Sequence, residues 1–117
     1  MTGMTSYMAG LVAEDVVAAH YCRSGLAVGG RRWRGSLGEI DLILRDGAAL
    51  VFVEVKRARD FARAAERMTR AQLERIWSTA SEFLAGEPRG QLTEARVDLA
   101  LVDGMGRVRV IENVCCD

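Results

Sequence analysis

Proline, histidine and cysteine are scarce in this sequence of 117 residues, and it has no long apolar run. The cysteines show neither a disulfide framework nor metal-ligand spacing, because Cys22 stands alone and Cys115 and Cys116 are adjacent. The single histidine, His20, is expected to pack or to lie at the surface. No stretch reaches the ~18 apolar residues that a membrane span needs, and no signal-peptide pattern opens the chain. We therefore expect a cytoplasmic protein without membrane contact.

The composition is that of a globular protein, with 50% hydrophobic and 27% charged residues and no low-complexity segment. The length predicts a single domain over residues 1–117, with a core of modest size. The net charge of zero argues against strong indiscriminate binding to nucleic acid. Residues 31–75 nevertheless carry 11 basic and 7 acidic side chains, which suits either a local phosphate-binding surface or a solvated arginine-rich one.

Lysine is nearly absent, since Lys56 is the sole lysine among 16 basic residues. In a chain that otherwise uses arginine, this lysine is expected to supply a compact ammonium with an adjustable pKa, which a guanidinium cannot offer. Chance would also account for one residue.

Two strands joined by a tight turn are predicted within residues 37–56. Asp46-Gly47 between two β-rich segments is a strong hairpin signal, because glycine accepts positive φ without steric cost. The second segment, residues 50–55, has the composition of a central strand buried on both faces. Side chains alternate along a strand, so Glu54 and Lys56 share one face.

The register of this hairpin decides how closely its acidic residues approach. One loop length pairs Arg45 with Ala48, and a longer loop pairs Arg45 with Leu50 and sets Asp41 directly opposite Glu54. Both registers place Asp41 and Glu54 on one face, whereas a three-residue loop would separate them.

Facing carboxylates on neighbouring strands lie roughly 5 Å apart and repel each other. A divalent metal ion would compensate Asp41 and Glu54, and Lys56 beside it would bind a phosphate or polarise a water molecule. The alternative is a salt-bridged strand end, in which Lys56 simply pairs with Glu54 or Asp41. Spacing alone leaves both interpretations open.

The remaining pattern predicts an α/β fold, a mixed β-sheet flanked by helices in the order α-β-β-β-α-β-β. The elements outside the hairpin are a first helix over residues 6–24 ended by Gly25, an edge strand over 26–34, a basic connection over 57–63, a long helix over 64–84, and strands over 95–102 and 107–112. The long helix is a crossover connection, so the third and fourth strands are expected to be parallel.

Two acidic residues interrupt apolar patterns outside the hairpin. Glu14 falls on the apolar face of the first helix, where it would be either a third acidic group of the site or a rim residue beside Asp15. Asp98 lies in a core-like strand, and an ion pair with an arginine is its expected role.

Residues 38–43 (GEIDLI) and 51–56 (VFVEVK) resemble the YraN-like family of uncharacterised bacterial proteins. That family belongs to the restriction-endonuclease-like superfamily with the PD-(D/E)xK motif and is similar to archaeal Holliday-junction resolvases. The resemblance extends along most of the chain, through segments 10–14, 31–34, 68–69, 75–76, 96–98 and 111–113.

This resemblance implies a restriction-endonuclease-like fold and Mg²⁺- or Mn²⁺-dependent hydrolysis of DNA phosphodiester bonds. By the same resemblance Asp41 and Glu54 are metal ligands together with the carbonyl of Val55, Lys56 is the catalytic lysine, and Glu14 is the acid of the first helix.

Two positions depart from the family pattern and put contacts with the substrate in question. Gln72 stands where the family usually has lysine, and Arg32 stands where asparagine is usual. The candidate nucleic-acid contacts are Arg31, Arg34, Arg57, Arg59, Gln72 and Arg75. Arg31 and Arg34 flank Trp33, and a buried Trp33 with solvated arginines is the simpler interpretation.

The leading hypothesis is a small metal-dependent nuclease acting on structured or branched DNA, working as a homodimer because one domain cannot address two strands symmetrically. The first alternative is a nucleic-acid-binding accessory protein that keeps the fold without catalysis. The second is a protein-interaction module that uses the apolar helices.

Overall fold

A computed structural model describes residues 6–115, with the side chains of residues 8–115. The elements are α1 (Ser6–Arg23), β1 (Ala27–Arg34), β2 (Glu39–Asp46), β3 (Ala49–Arg57), α2 (Phe61–Glu66), α3 (Arg70–Leu84), a 3₁₀ turn (Gly90–Leu92), β4 (Ala95–Val102) and β5 (Val108–Ile111). The predicted α/β fold is confirmed. No helix within this described range is both long and apolar enough to cross a membrane.

The predicted continuous helix over residues 64–84 is wrong, because the chain forms two helices there. Asp60 caps α2 by accepting a hydrogen bond from the backbone N–H of Arg63. Thr69 then adopts an extended conformation and begins α3 with a capping box, in which its side chain and that of Gln72 satisfy each other's backbone N–H groups. Apolar spacing continues across this break, so periodicity alone did not reveal it.

One five-stranded sheet has the order β1-β2-β3-β4-β5. Strands β3 and β4 are parallel, as the crossover predicted, and the other three pairs are antiparallel. The central position of β3 is also confirmed, since its residues from Leu50 to Val53 are buried. β1 lies at an edge, as its glycines and arginines predicted.

The β2–β3 hairpin adopts the second of the two predicted registers. Arg45 pairs with Leu50 and Asp46 pairs with Ala49, which leaves a two-residue loop in which Gly47 has a φ of 61°. Continuing this register brings Asp41 opposite Glu54.

Apolar side chains fill both faces of the sheet. On one face α1 packs through Val17 and Tyr21 against β2 and β3. On the other face α3 packs through Ile76 against Ile43 and Phe52. Because helices cover both faces, the polar ends of the strands are where a site can form.

Asp98 is fully buried on β4, and the predicted arginine pair is confirmed. Arg96 Nε lies 3.0 Å from its carboxylate, Tyr21 donates a hydrogen bond of 2.7 Å, and the backbone N–H of Asn113 donates one of 3.0 Å. A buried carboxylate with this many donors has a structural role, since each donor offsets the cost of its burial.

Candidate metal and phosphate site

All four predicted catalytic residues line one cavity of about 220 Å³ at the ends of β2 and β3. Asp41 comes from β2, Glu54 and Lys56 come from β3, and Glu14 comes from α1. Strand alternation puts Glu54 and Lys56 on the face of the sheet that carries Phe52 and that α3 covers. The cavity lies at the strand ends, where Glu14 of α1 also lines it. The structure therefore brings these side chains together, and their catalytic roles stay predictions.

Asp41 is held in place by the neighbouring strand. Its Oδ2 accepts a hydrogen bond of 2.9 Å from the backbone N–H of Val55, and it also contacts the carboxyl of Glu54. These two contacts keep the Asp41 carboxylate at the strand end, beside Glu54. Val55 lines the same cavity, next to the acids with which its carbonyl was predicted to share an ion.

Glu54 is the most perturbed acid of the cavity. Burial, followed by the hydrogen bond and negative charge of Asp41, raises the pKa of Glu54 to about 8, and Lys56 only partly opposes this. The side chain is only 13% exposed, so water screens it little. Near neutral pH the Asp41–Glu54 pair therefore retains a proton, even with Lys56 beside it.

Lys56 lies beside this pair with its side chain 15% exposed and its Nζ 3.4 Å from Glu54 Oε2. This contact matches the salt-bridged strand end, and it is equally compatible with a lysine poised to bind a phosphate. Because Nζ carries three donors, its contact with Glu54 leaves capacity for a further acceptor.

Glu14 is buried, at 4% exposure, so its placement at the rim beside Asp15 is wrong. Arg32 binds both its oxygens, with Nε to Oε1 at 3.1 Å and Nη2 to Oε2 at 2.9 Å. Burial and the negative charge of Asp41 raise the pKa of Glu14, and Arg32 opposes them. Glu14 thus faces the cavity as one half of an ion pair.

Sequence reasoning missed the contribution of Arg32 to this site. A register shift between Val28 and Gly30 interrupts the alternation of β1, and Arg32 itself takes a left-handed φ of 46°. Paired glycines in an edge strand were the available signal, because they often mark a bulge. The direction in which the Arg32 side chain points depends on how β1 pairs with β2 after the bulge, and the sequence does not show that pairing.

The donor set fits a magnesium-type ion. Within residues 6–115 no group of three or more histidine, cysteine, aspartate or glutamate side chains is placed to hold a metal. Two carboxylates, of Asp41 and Glu54, and the nearby carbonyl of Val55 remain as oxygen donors. Mg²⁺ prefers oxygen donors and usually binds through one or two carboxylates while keeping several waters.

The predicted nucleic-acid contacts on β1 are already paired with acids. Arg31 Nη1 lies 2.8 Å from Asp15, and Arg34 Nη2 lies 3.3 Å from Glu39. Trp33 between them is partly buried and packs edge-on against a core aromatic ring, as the simpler interpretation held.

The other predicted contacts lie on α3, at the end of β3 and just beyond it. Gln72 is engaged in the capping box of α3, and with Arg75 it lines a second cavity of about 200 Å³ that also reaches Glu54. Arg57 lines the cavity of the acids. Arg59 does not line that cavity; it lines a neighbouring groove between α1 and the β4–β5 turn.

Comparison with known proteins gives a consistent result. Residues 13–102 match the family model described as "Uncharacterised protein family UPF0102". A UPF0102 protein of Cereibacter sphaeroides is 59% identical over 113 residues, covering 97% of each chain. Relatives from Ruegeria pomeroyi (54% over 111 residues, 95% of this chain and 90% of the relative) and Roseobacter denitrificans (49% over 111 residues, 95% and 86%) bear the same family name. The predicted family is confirmed: the chain belongs to the uncharacterised protein family UPF0102, the YraN-like family.

Proposed function

We propose that this protein is a divalent-metal-dependent nuclease that hydrolyses DNA phosphodiester bonds on a restriction-endonuclease-like fold, acting in the cytoplasm on branched or otherwise structured DNA. One observation carries the proposal. Asp41 and Glu54 face each other in a buried cavity beside the sole lysine, and burial together with Asp41 raises the pKa of Glu54 to about 8. Perturbed acids in a cleft are typical of functional sites.

The residues of the cavity divide into two roles in this proposal. The carboxylates of Asp41 and Glu54 and the carbonyl of Val55 would hold Mg²⁺ or Mn²⁺. When bound, such an ion supplies a Lewis acid for a phosphoryl oxygen and lowers the pKa of water. Lys56 would bind a non-bridging phosphate oxygen with its ammonium, and its contact with Glu54 keeps that ammonium at the site.

A cleavage assay tests the proposal. Wild type, Asp41→Ala, Lys56→Ala and the control Asp46→Asn are incubated with linear, flap and four-way DNA in Mg²⁺ or Mn²⁺. Asp46 is an exposed aspartate at the other end of the strand that carries Asp41, so it matches the charge change without touching the cavity. We expect metal-dependent cleavage by wild type and the control alone. Absence of cleavage by wild type, or cleavage that survives Asp41→Ala, rejects the nuclease.

A binding assay isolates the metal from the chemistry. A ligand that binds only the folded state at a hundred times its Kd adds about 2.7 kcal/mol of stability. Thermal unfolding should therefore shift upward with Mn²⁺ in wild type and in Asp46→Asn, and remain unshifted in Asp41→Ala. Sedimentation of the same samples tests the homodimer that two-strand cleavage would require.

The second candidate function is a non-catalytic nucleic-acid-binding accessory protein. Its support is that two acids of the cavity already have internal cations, Glu14 with Arg32 and Glu54 with Lys56. Salt-dependent DNA binding without any stabilisation by Mg²⁺ or Mn²⁺ would favour this function over the nuclease.

A further inference from the structure

The arginines around the candidate site form two groups that differ in charge balance. Every arginine of β1 is paired with a carboxylate within 4.0 Å, the pairs being Arg31–Asp15, Arg32–Glu14 and Arg34–Glu39. A phosphate approaching this edge of the sheet would have to displace a carboxylate from each guanidinium. The β1 side is therefore a poor phosphate-binding surface, although it is rich in arginine.

The opposite side of the site has cations without such partners. Arg59 and Arg67 are exposed, and no carboxylate oxygen in the described chain lies within 4.0 Å of either guanidinium. Together with Arg57 they line a groove of about 550 Å³ between α1 and the β4–β5 turn, here called the arginine groove.

The charge of the arginine groove is positive in spite of one acid. Asp103 is the only carboxylate among its lining residues within the described chain. That carboxylate is 3% exposed, lies 2.7 Å from Arg107 Nε, and accepts hydrogen bonds from the backbone N–H groups of Met105 and Arg107. Its charge is thus compensated locally, and the charges of Arg59 and Arg67 dominate the exposed part of the groove.

The floor of the arginine groove is apolar. Val12 and Val16 of α1 line it, and Val12 is 46% exposed. On the facing turn Met105 is 81% exposed between the lining glycines Gly104 and Gly106. A hydrogen bond of 3.2 Å from the Gly104 N–H to the Arg59 carbonyl ties this turn to the arginine segment. Exposed aliphatic side chains beside Arg59 and Arg67 suit a ligand with both apolar faces and negative charges.

The arginine groove is continuous with the cavity of the acids. Ala13 and Arg57 line both, so a chain lying in the groove leads directly to Asp41 and Glu54. Its volume of about 550 Å³ is that of a site for a small ligand, which matches one or two nucleotides and not a duplex.

We propose that the arginine groove binds a single-stranded arm of the DNA next to the bond to be cut, so that the substrate class is DNA with an unpaired arm. The inference rests on the proposed nuclease function. Phosphates of the arm lie against Arg59 and Arg67, and base faces lie against Val12 and Val16. Contacts of this kind do not read base identity, so binding is tolerant of sequence.

Fluorescence anisotropy in EDTA tests this without cleavage or metal. The probes are a blunt duplex and the same duplex with a single-stranded arm, titrated at several salt concentrations. The double variant Arg59→Ala/Arg67→Ala should lower the slope of log K against log salt for the armed probe by ~1.4, because each phosphate contact on a single strand contributes ~0.7. The blunt duplex should keep its slope.

Arg63→Ala is the matched control. Arg63 lies on α2, the helix whose C-cap residue is Arg67, but unlike Arg67 it is paired with a carboxylate, that of Asp60. It should leave the slope of the armed probe unchanged. Val12→Glu places a charge on the floor of the groove and should weaken binding of the armed probe while leaving the blunt duplex unaffected.

Several outcomes would overturn the single-strand inference. The first two are an equal loss of binding for the armed and blunt probes, and no loss of binding in the double variant. The third is displacement of the armed probe by a poly-glutamate peptide at a lower concentration than by unlabelled armed DNA. The fourth is a wild-type dimer that Val12→Glu dissociates. The last two would assign the groove to an acidic protein partner or to a second copy of the chain.

The two proposals fail in distinguishable ways. If the arm-dependent slope change is found and wild type cleaves nothing, the groove stands and the nuclease is rejected. If wild type cleaves armed DNA and the double variant binds and cleaves it as wild type does, the groove is rejected and the nuclease stands. Absence of any DNA binding at low salt rejects both.

Discussion

Replacing Glu54 by glutamine should stabilise the metal-free protein, increasingly so as the pH rises. Burial and Asp41 raise the pKa of Glu54 from 4.5 to about 8, so the folded state holds this proton more tightly than the unfolded chain. The wild type therefore loses stability as pH rises between those values, and below pH 4.5 the loss is absent. Glutamine does not ionise, and the variant escapes that loss.

The size of the effect follows from the linkage between protonation and folding. At about 1.4 kcal/mol per pKa unit, the advantage of Glu54→Gln should grow by ~4 kcal/mol between pH 5 and pH 9 if Glu54 titrates alone. The attraction between Lys56 and ionised Glu54 is already contained in this pKa, so it adds no separate contribution.

Urea denaturation at pH 5, 7 and 9 in EDTA measures this difference. Glu74→Gln, which removes an exposed helical carboxylate, serves as the control and should show no growing advantage. A Glu54→Gln advantage that stays constant from pH 5 to pH 9 would refute the claim that the Asp41–Glu54 pair retains a proton near neutral pH. The main support for a metal site would be lost with it.

Three further substitutions test the framework that holds the site. Phe52→Ala removes a fully buried ring from the central strand and should lower the free energy of unfolding by about 3–5 kcal/mol in urea denaturation. Tyr21→Phe removes the 2.7 Å hydrogen bond to buried Asp98 and should cost about 1–3 kcal/mol in the same assay, and an unchanged stability would contradict the structural role of Asp98. Thr69→Ala removes the side-chain cap of α3 and should cost about 1 kcal/mol, with faster amide exchange confined to the N–H groups near Gln72.

The energetic cost of the candidate site is concentrated in its acids. Asp41, Glu54 and Glu14 line one small cavity, and burial raises the pKa of the last two. A cluster of this kind destabilises the folded chain unless a cation is bound, and retaining it at that cost is typical of functional sites. The same reasoning explains why the Glu54 experiment bears on function as well as on stability.

Local rules were enough to predict the central hairpin and its acids. Alternation along a strand, a glycine turn and a uniformly apolar segment placed Asp41, Glu54 and Lys56 on one face for either predicted register. The parallel pairing of β3 and β4 followed from the helical crossover between them. The hairpin inferences succeeded because they depend on residues that are close in sequence, and the parallel pairing succeeded because a helical crossover constrains the direction of the returning strand.

The sequence by itself thus determined the sheet, its central strand and the shared face of the site. Only the tertiary structure decided which charges are neutralised, because the Arg31–Asp15 and Arg32–Glu14 pairs join α1 to β1 across a bulge and a left-handed residue. It also decided that Arg59 and Arg67 lie along a groove reaching the acids, since that groove forms only when α1 packs beside the β4–β5 turn. Contacts between distant segments depend on packing geometry, which neither periodicity nor composition encodes.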